Sequence, residues 1–217
     1  MMPGTICLSV FSKVNAMKYV PLLLSFFVSL ASGCGIEKSA QPSKATQDAI
    51  DALTVHGGSV SLDPSGNVVG VDFSGTGIMD ADLVHLSGLT SLQTIALYDT
   101  RVTDACLVPM KNLIHLQYLN LGNTKVADTG LVNLKGLTDL EELYLNDTQV
   151  TDAGIEKLKG LIKLKGLYLN RTQVSDASIV SLQALTHLRL LYLNKTQFTA
   201  AGVKELQIAL PQCKITH

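Results

Sequence analysis

The chain has 217 residues, 47% of them hydrophobic and 5% aromatic, with no Trp. Its 17 Lys and Arg stand against 18 Asp and Glu, for a formal charge of −1. A balance this close to neutral gives no overall field to draw in nucleic acid or anionic lipid, which argues against either as a bulk partner.

The first element in chain order is M-K-Y-V-P-L-L-L-S-F-F-V-S-L-A-S-G-C, residues 17–34. A Lys precedes an apolar run shorter than the ~20 residues a transmembrane helix needs, and small residues follow it, the pattern of an export signal over residues 1–33. A start at Met17 is an alternative to one at Met1. The end of the run, Leu30-Ala31-Ser32-Gly33-Cys34, resembles the lipobox of bacterial lipoproteins. That resemblance implies lipidation of Cys34 and a membrane anchor through it; simple cleavage after Gly33 is the other reading. Beyond it, 15 basic and 18 acidic residues remain, because Lys13 and Lys18 lie in the leader. Residues 34–43 read as a short flexible tether.

Residues 44–64 read as an N-terminal cap. Ile50 and Leu53 share one face of a helix, and S-V-S-L-D-P-S-G-N-V-V-G-V-D-F predicts a hairpin leading on from it. From there the chain repeats. Val71, Ile95, Leu119, Leu143, Leu167 and Leu191 are separated by steps of 24 residues, so six units follow one another over 65–208. In L-Q-Y-L-N-L the residues Leu119 and Leu121 alternate with polar ones, the period of a strand with one buried face. Long return segments force such strands to run parallel, at about 4.8 Å per coil. Thr76, Thr100, Thr124, Thr148, Thr172 and Thr196 recur where the chain must turn off the sheet, and a hydroxyl there can satisfy turn backbone. The next letters, V-T-D-A-G-I at 150–155, predict a helix start. Thr151 or Asp152 would cap it, and Asp80, Asp104, Asp128, Asp152 and Asp176 would lie at the positive ends of helix dipoles. Leu206 to Leu210 prolongs the last helix, Pro211 stops it, and Ile215 falls in the strand slot of Leu191, so 209–217 reads as a C-terminal cap.

The unit L-x-x-L-x-x-L-x-L-x-x-T-x-V-T-D-x-G-L-x-x-L-x-x resembles the leucine-rich repeat, and is most similar to the short bacterial form and to repeats carried by F-box proteins. The resemblance implies an α/β solenoid, a right-handed parallel β/α horseshoe with an N-terminal helix and hairpin cap. It also implies an interaction scaffold rather than an enzyme, with a protein partner on the concave face.

Residues between the buried leucines face that surface. Asp72, Ala96, Asn120, Tyr144, Tyr168 and Tyr192 fill one slot, Tyr118 lies two residues from its own, and Tyr98 falls just after its strand. Together with Glu142 and Arg189, the residues Tyr98, Tyr118, Asn120, Tyr144, Tyr168 and Tyr192 are the candidate partner-binding set, since Tyr offers large area at little entropy cost. The plainer reading is that tyrosines on adjacent strands stack on one another and suit a sheet. Side chains Gln117, Glu141, Glu142, Lys165 and Arg189 shift from acidic to basic along the chain.

No P-loop, G-x-S-x-G, H-E-x-x-H, paired C-x-x-C or G-x-G-x-x-G motif is present. His115 and His187 are three coils apart, roughly 14 Å, too far to share a metal. Cys106 and Cys213 lie roughly four coils apart, some ~20 Å, and read as buried hydrophobes rather than a disulfide. Neither cofactor nor metal is expected. Asn146, Asn170 and Asn194 begin N-x-T triplets that the repeat itself supplies. Two further functional readings stand beside the protein-binding one: an intracellular substrate-recognition subunit like an F-box repeat protein, which would need a helical adaptor module ahead of the repeats, and glycan binding by the tyrosines.

Overall fold

The computed structural model describes residues 41–217. The proposed export signal, Cys34 and most of the tether fall outside them. The sheet has eight strands in sequential order: β1 (Ser59–Leu62), β2 (Val68–Asp72), β3 (Thr94–Ala96), β4 (Tyr118–Asn120), β5 (Glu142–Tyr144), β6 (Gly166–Tyr168), β7 (Leu190–Tyr192) and β8 (Lys214–Thr216). The first pair is antiparallel and every later pair parallel. Val71, Ile95, Leu119, Leu143, Leu167, Leu191 and Ile215 stand opposite one another in register, the 24-residue step made visible as a sheet.

A single coil shows why the chain folds this way. Leu137, Leu140, Leu143, Leu145, Val150, Ile155 and Leu158 are all fully buried. Each such side chain contributes roughly 1.5–3 kcal/mol relative to exposure, and only the neighbouring coils can cover it. At the turn off the strand, the hydroxyls of Thr76, Thr100, Thr124, Thr148, Thr172 and Thr196 donate to the carbonyl three residues earlier in their own coil, at 2.6–2.7 Å. One residue ahead of five of these, Asp99, Asn123, Asp147, Arg171 and Lys195 take positive φ between 53° and 59°, and Gly75 does the same in the first coil. The turn therefore needs a left-handed residue in every coil, whatever its side chain.

Return segments depart from the helix expectation in three coils, and a fourth opens with a 3₁₀ turn before its helix. Asp82–Gly88, Asp104–Leu107, Gly130–Leu134 and Asp176–Ser178 form 3₁₀ turns; the α-helices are α2 (Asp152–Lys157), α3 (Ile179–Gln183) and α4 (Ala200–Ala209). With so few residues between turn and next strand, one tight turn closes the coil, and the tighter 3₁₀ geometry serves as well as the α form.

The aspartates also act differently from the reading above. Thr103, Thr151, Ser175 and Thr199 cap their own segments. The Asp carboxylates instead reach the next coil. Asp80 accepts from the Thr103 backbone N–H and hydroxyl at 2.8 and 2.7 Å, Asp128 from those of Thr151 at 2.8 and 2.6 Å, Asp152 from Ser175 at 2.7 and 2.6 Å, and Asp176 from Thr199 at 2.9 and 2.6 Å. Asp104 takes the Ala127 N–H at 2.7 Å and the Thr129 hydroxyl. In three coils a glycine accompanies this bond: a Cβ on Gly130, Gly154 or Gly202 would collide with the carboxylate of Asp104, Asp128 or Asp176, whereas Cys106 and Ser178 fill the same position opposite Asp80 and Asp152.

Both ends of the stack are covered. α1 (Lys44–Thr54), capped by Ser43, buries Leu53, and Asp63 holds the turn between β1 and β2 through Ser65 and Asn67. At the far end Leu206 and Leu210 are buried, and Leu193 donates to Thr216 at 2.7 Å. Cys106 and Cys213 are free and buried; burial pushes the Cys213 thiol up to about 11.

Candidate functional site

The solvent-facing side of the sheet carries two side-chain rows. The row after the central leucine runs Asp72, Ala96, Asn120, Tyr144, Tyr168, Tyr192, Thr216; the row before it runs Gly70, Thr94, Tyr118, Glu142, Gly166, Leu190, Lys214. Parallel in-register strands hold equal positions at one coil spacing, close to the stacking distance of aromatic rings.

Tyr144 and Tyr168 are stacked with ring centroids 3.9 Å apart and 5° between planes, and Tyr168 and Tyr192 at 4.9 Å and 12°. Tyr118 meets Tyr144 at 5.3 Å but tilts by 46°, so the parallel stack ends there. Four of the candidate tyrosines are thus brought together. Tyr98 is left apart, 46% exposed, its ring lying over Gly122.

The remaining candidates divide in the same way. Asn120 is occupied by its own neighbourhood, accepting from Gly122 N–H at 3.0 Å and donating to the Tyr118 hydroxyl at 3.4 Å. Arg189 is exposed and turns back to the Leu188 carbonyl at 3.1 Å. Glu142 is half-buried between Tyr118 and Gly166 in the register. Burial raises its pKa above the ordinary 4.5 and Glu141 adds to the rise, while the Tyr168 hydroxyl and Lys165 offset part of it. Tyr168 is shifted upward too, first by burial and then by the Tyr144 hydroxyl and the Glu142 charge.

One feature of this face was missed by residue-by-residue reading, and one that it glimpsed, the acidic-to-basic shift, extends beyond the face. Asn146 accepts from the Asn170 N–H at 3.0 Å, and Asn170 accepts from the N–H and side-chain amide of Asn194 at 2.9 Å each. This ladder ties the last coils together and accounts for the Asn of the N-x-T triplets; the recurring Asn was the signal. Charge is also segregated: residues 41–160 hold 15 acidic and 7 basic side chains, residues 161–217 hold 2 and 7. Counting by coil finds it where the whole-chain total conceals it.

Lateral ion pairs follow the same step: His115 and Lys163 meet Asp139 at 3.7 and 2.7 Å, Lys165 meets Glu141 at 2.7 Å, and Arg171 pairs with Asp147. Among the described residues no group of three or more His, Cys, Asp or Glu could hold a metal, and no helix is long and apolar enough to cross a membrane.

Residues 112–135 and 136–159 match the leucine-rich repeat family model. An internalin from Listeria monocytogenes is similar at a TM-score of 0.54 and 26% identity over 61% of this chain, which spans 36% of that internalin. Internalin C2 from the same organism gives 0.47 and 18% over 83% of this chain and 95% of its own, and a Leptospira interrogans leucine-rich repeat protein 0.46 and 20% over 62% and 39%. No curated protein matches. A 24-residue coil, a parallel sheet in register, a buried leucine frame, the family match and the likeness to the first internalin agree: the six coils carry the leucine-rich repeat fold, and residues 112–159 are leucine-rich repeats by sequence.

Proposed function

We propose that the protein is an exported interaction module that binds a protein partner on the concave face of its sheet, held to a membrane through lipid on Cys34 or released by cleavage after Gly33. The observation that carries the binding reading is the stack of Tyr144, Tyr168 and Tyr192. Stacking fixes three large amphipathic side chains before any partner arrives, so little rotamer entropy is lost on binding. It also bears on the glycan alternative. Sugars pack on ring faces, and here both faces of Tyr168 and the facing sides of Tyr144 and Tyr192 are covered, which favours a polypeptide that reads edges and hydroxyls.

The F-box-like reading requires an adaptor-binding helical module before the repeats. The listerial internalin is a bacterial neighbour in fold, which favours an envelope setting over that reading.

Two experiments test the proposal. Wild type and a Tyr144/Tyr168/Tyr192→Ala triple variant are used as bait in extracts; capture of a partner by the first and not the second is expected, and identical capture overturns the binding face. Labelling with radioactive fatty acid should mark the wild type and not Cys34→Ala. An unlabelled cytosolic protein would revive the intracellular alternative.

A further inference from the structure

Glu142 is where the fold leaves a polar group unsatisfied. Its Oε2 is, among the described residues, the only buried side-chain nitrogen or oxygen lacking a hydrogen-bond partner. Such atoms are scarce in folded proteins because an unmade bond costs the full desolvation of the group. The carboxylate lies in the space that Gly166 leaves open on β6, where any Cβ would collide with it. The groups facing it are Tyr118 on β4, Tyr144 and Glu141 beside it in the chain, and Tyr168 and Lys165 from the next coil. Lys165 offsets only part of the effect of burial, because its ammonium sits on Glu141 at 2.7 Å. The Tyr168 hydroxyl stands close enough to the carboxyl to offset part of the effect of burial, while Oε2 itself has no hydrogen-bond partner.

We propose that Glu142, with Tyr118, Tyr144 and Tyr168, is the receptor for an arginine side chain presented by the partner. This rests on the concave-face reading above and gives that face its first chemically defined contact. A cation fits because the carboxylate, only partly offset by a Lys165 already paired with Glu141, stands among tyrosine rings, and ring faces and hydroxyl oxygens both favour positive charge. Arginine fits better than lysine: its guanidinium can donate to the carboxylate from the solvent side while its flat face lies on a ring. The tilt of Tyr118 against Tyr144 breaks the parallel stack beside Glu142, where the ring centroids stand 5.3 Å apart rather than the 3.9 Å of the pair beyond it. Charge complementarity agrees, since the site ends the acidic stretch 41–160 and the basic stretch begins just beyond it. A partner with a basic residue here and acidic residues toward the C-terminal coils would match both.

The full-length chain is titrated with acetyl-Gly-Arg-Gly-amide, followed by backbone amide NMR, with acetyl-Gly-Gln-Gly-amide as the uncharged control. The arginine peptide should move the signals of Glu142, Tyr144 and Gly166 and lower the titration point of the Glu142 carboxyl; the glutamine peptide should do neither. Glu142→Gln should weaken the arginine peptide by about tenfold, the size of one charge-assisted contact. Gly166→Ala evicts the carboxylate from its seat while keeping its charge, and should weaken binding as well. Equal response to both peptides, or unchanged affinity in Glu142→Gln, would overturn the site. If the arginine peptide fails while the triple tyrosine variant still loses its partner, this contact falls and the binding face stands. If the peptide binds and the triple variant captures every wild-type partner, the reverse holds.

Discussion

Asp80, Asp104, Asp128, Asp152 and Asp176 occur in five consecutive coils, and each carboxylate bonds the coil that follows. The stacked tyrosines occupy three coils and give way to Asn120, Ala96 and Asp72 toward the N-terminus. Both rows obey the 24-residue step, yet only the first is required by it. Coil stacking creates the same unpaired N–H groups at every turn, so the residue that satisfies them must recur; nothing in the stacking calls for a large ring on the solvent side of β5, β6 and β7. Recurrence in every coil marks architecture, and recurrence in a few marks a surface available for another purpose.

The most forceful way to break the architectural side is the core itself. Leu145 is fully buried at a strand slot, and Leu145→Ala should cost ~2–5 kcal/mol in urea unfolding through the cavity it leaves. A loss under ~1 kcal/mol would mean that the slot does not carry the core. Next comes the seam. Asp128→Ala strips the partner from the Thr151 N–H and hydroxyl at once, and should cost about 1–3 kcal/mol, with Asp128→Asn, which keeps one acceptor, intermediate. Loss no greater than for an exposed alanine substitution would remove the distinction between the two rows.

How far these outcomes could be foreseen from sequence varies by row. The period, the strand register and the threonine turn are legible because each depends on one residue type at one spacing. The aspartate bond is not, because T-D-x-G also satisfies the local rule for a helix start, and only stacked coils bring Thr151 nearer to Asp128 than its own cap position requires. The 3₁₀ turns escape for a similar reason: across five residues such as Gly130–Leu134, periods of 3.0 and 3.6 cannot be separated. At the candidate site the tyrosine alignment is legible, whereas the tilt of Tyr118 and the seat of Glu142 over Gly166 depend on which neighbour lacks a side chain.

On the tyrosine side the expected stability effects are smaller. Tyr168→Ala removes two stacked contacts, each worth roughly 0.5–1.5 kcal/mol beyond area, and the chain should remain folded while its partner is lost. Glu142→Gln should act in the opposite direction. Burial raises the carboxyl above 4.5, so in the folded state its protonated form is favoured. The stability that proton contributes is complete below the ordinary value and is lost as pH rises through the folded one. The glutamine variant should therefore melt above wild type at neutral pH and converge with it in acid; a gap that persists unchanged below pH ~4 would show that ionisation is not the cause.

The smallest effect probes a row that shares features of both. Gly75, Asp99, Asn123, Asp147, Arg171 and Lys195 all take positive φ, so the backbone demand recurs while the side chain varies. Left-handed geometry is strained for most L-residues and easiest for Gly and Asn. Arg171 recovers something through its pair with Asp147, and Asn123 donates to Asp99 at 2.6 Å, whereas Lys195 makes no ion pair among the described residues. Lys195→Asn should then raise stability by about 0.5–1 kcal/mol, visible as a higher urea midpoint with unchanged slope, while Arg171→Asn gives up its ion pair and should change little. Equal gains at both positions would mean that the strain alone is felt and the Asp147 pair adds nothing. A gain at Lys195 alone would show that a turn position fixed by the coil can still carry a charge that its neighbours make worthwhile.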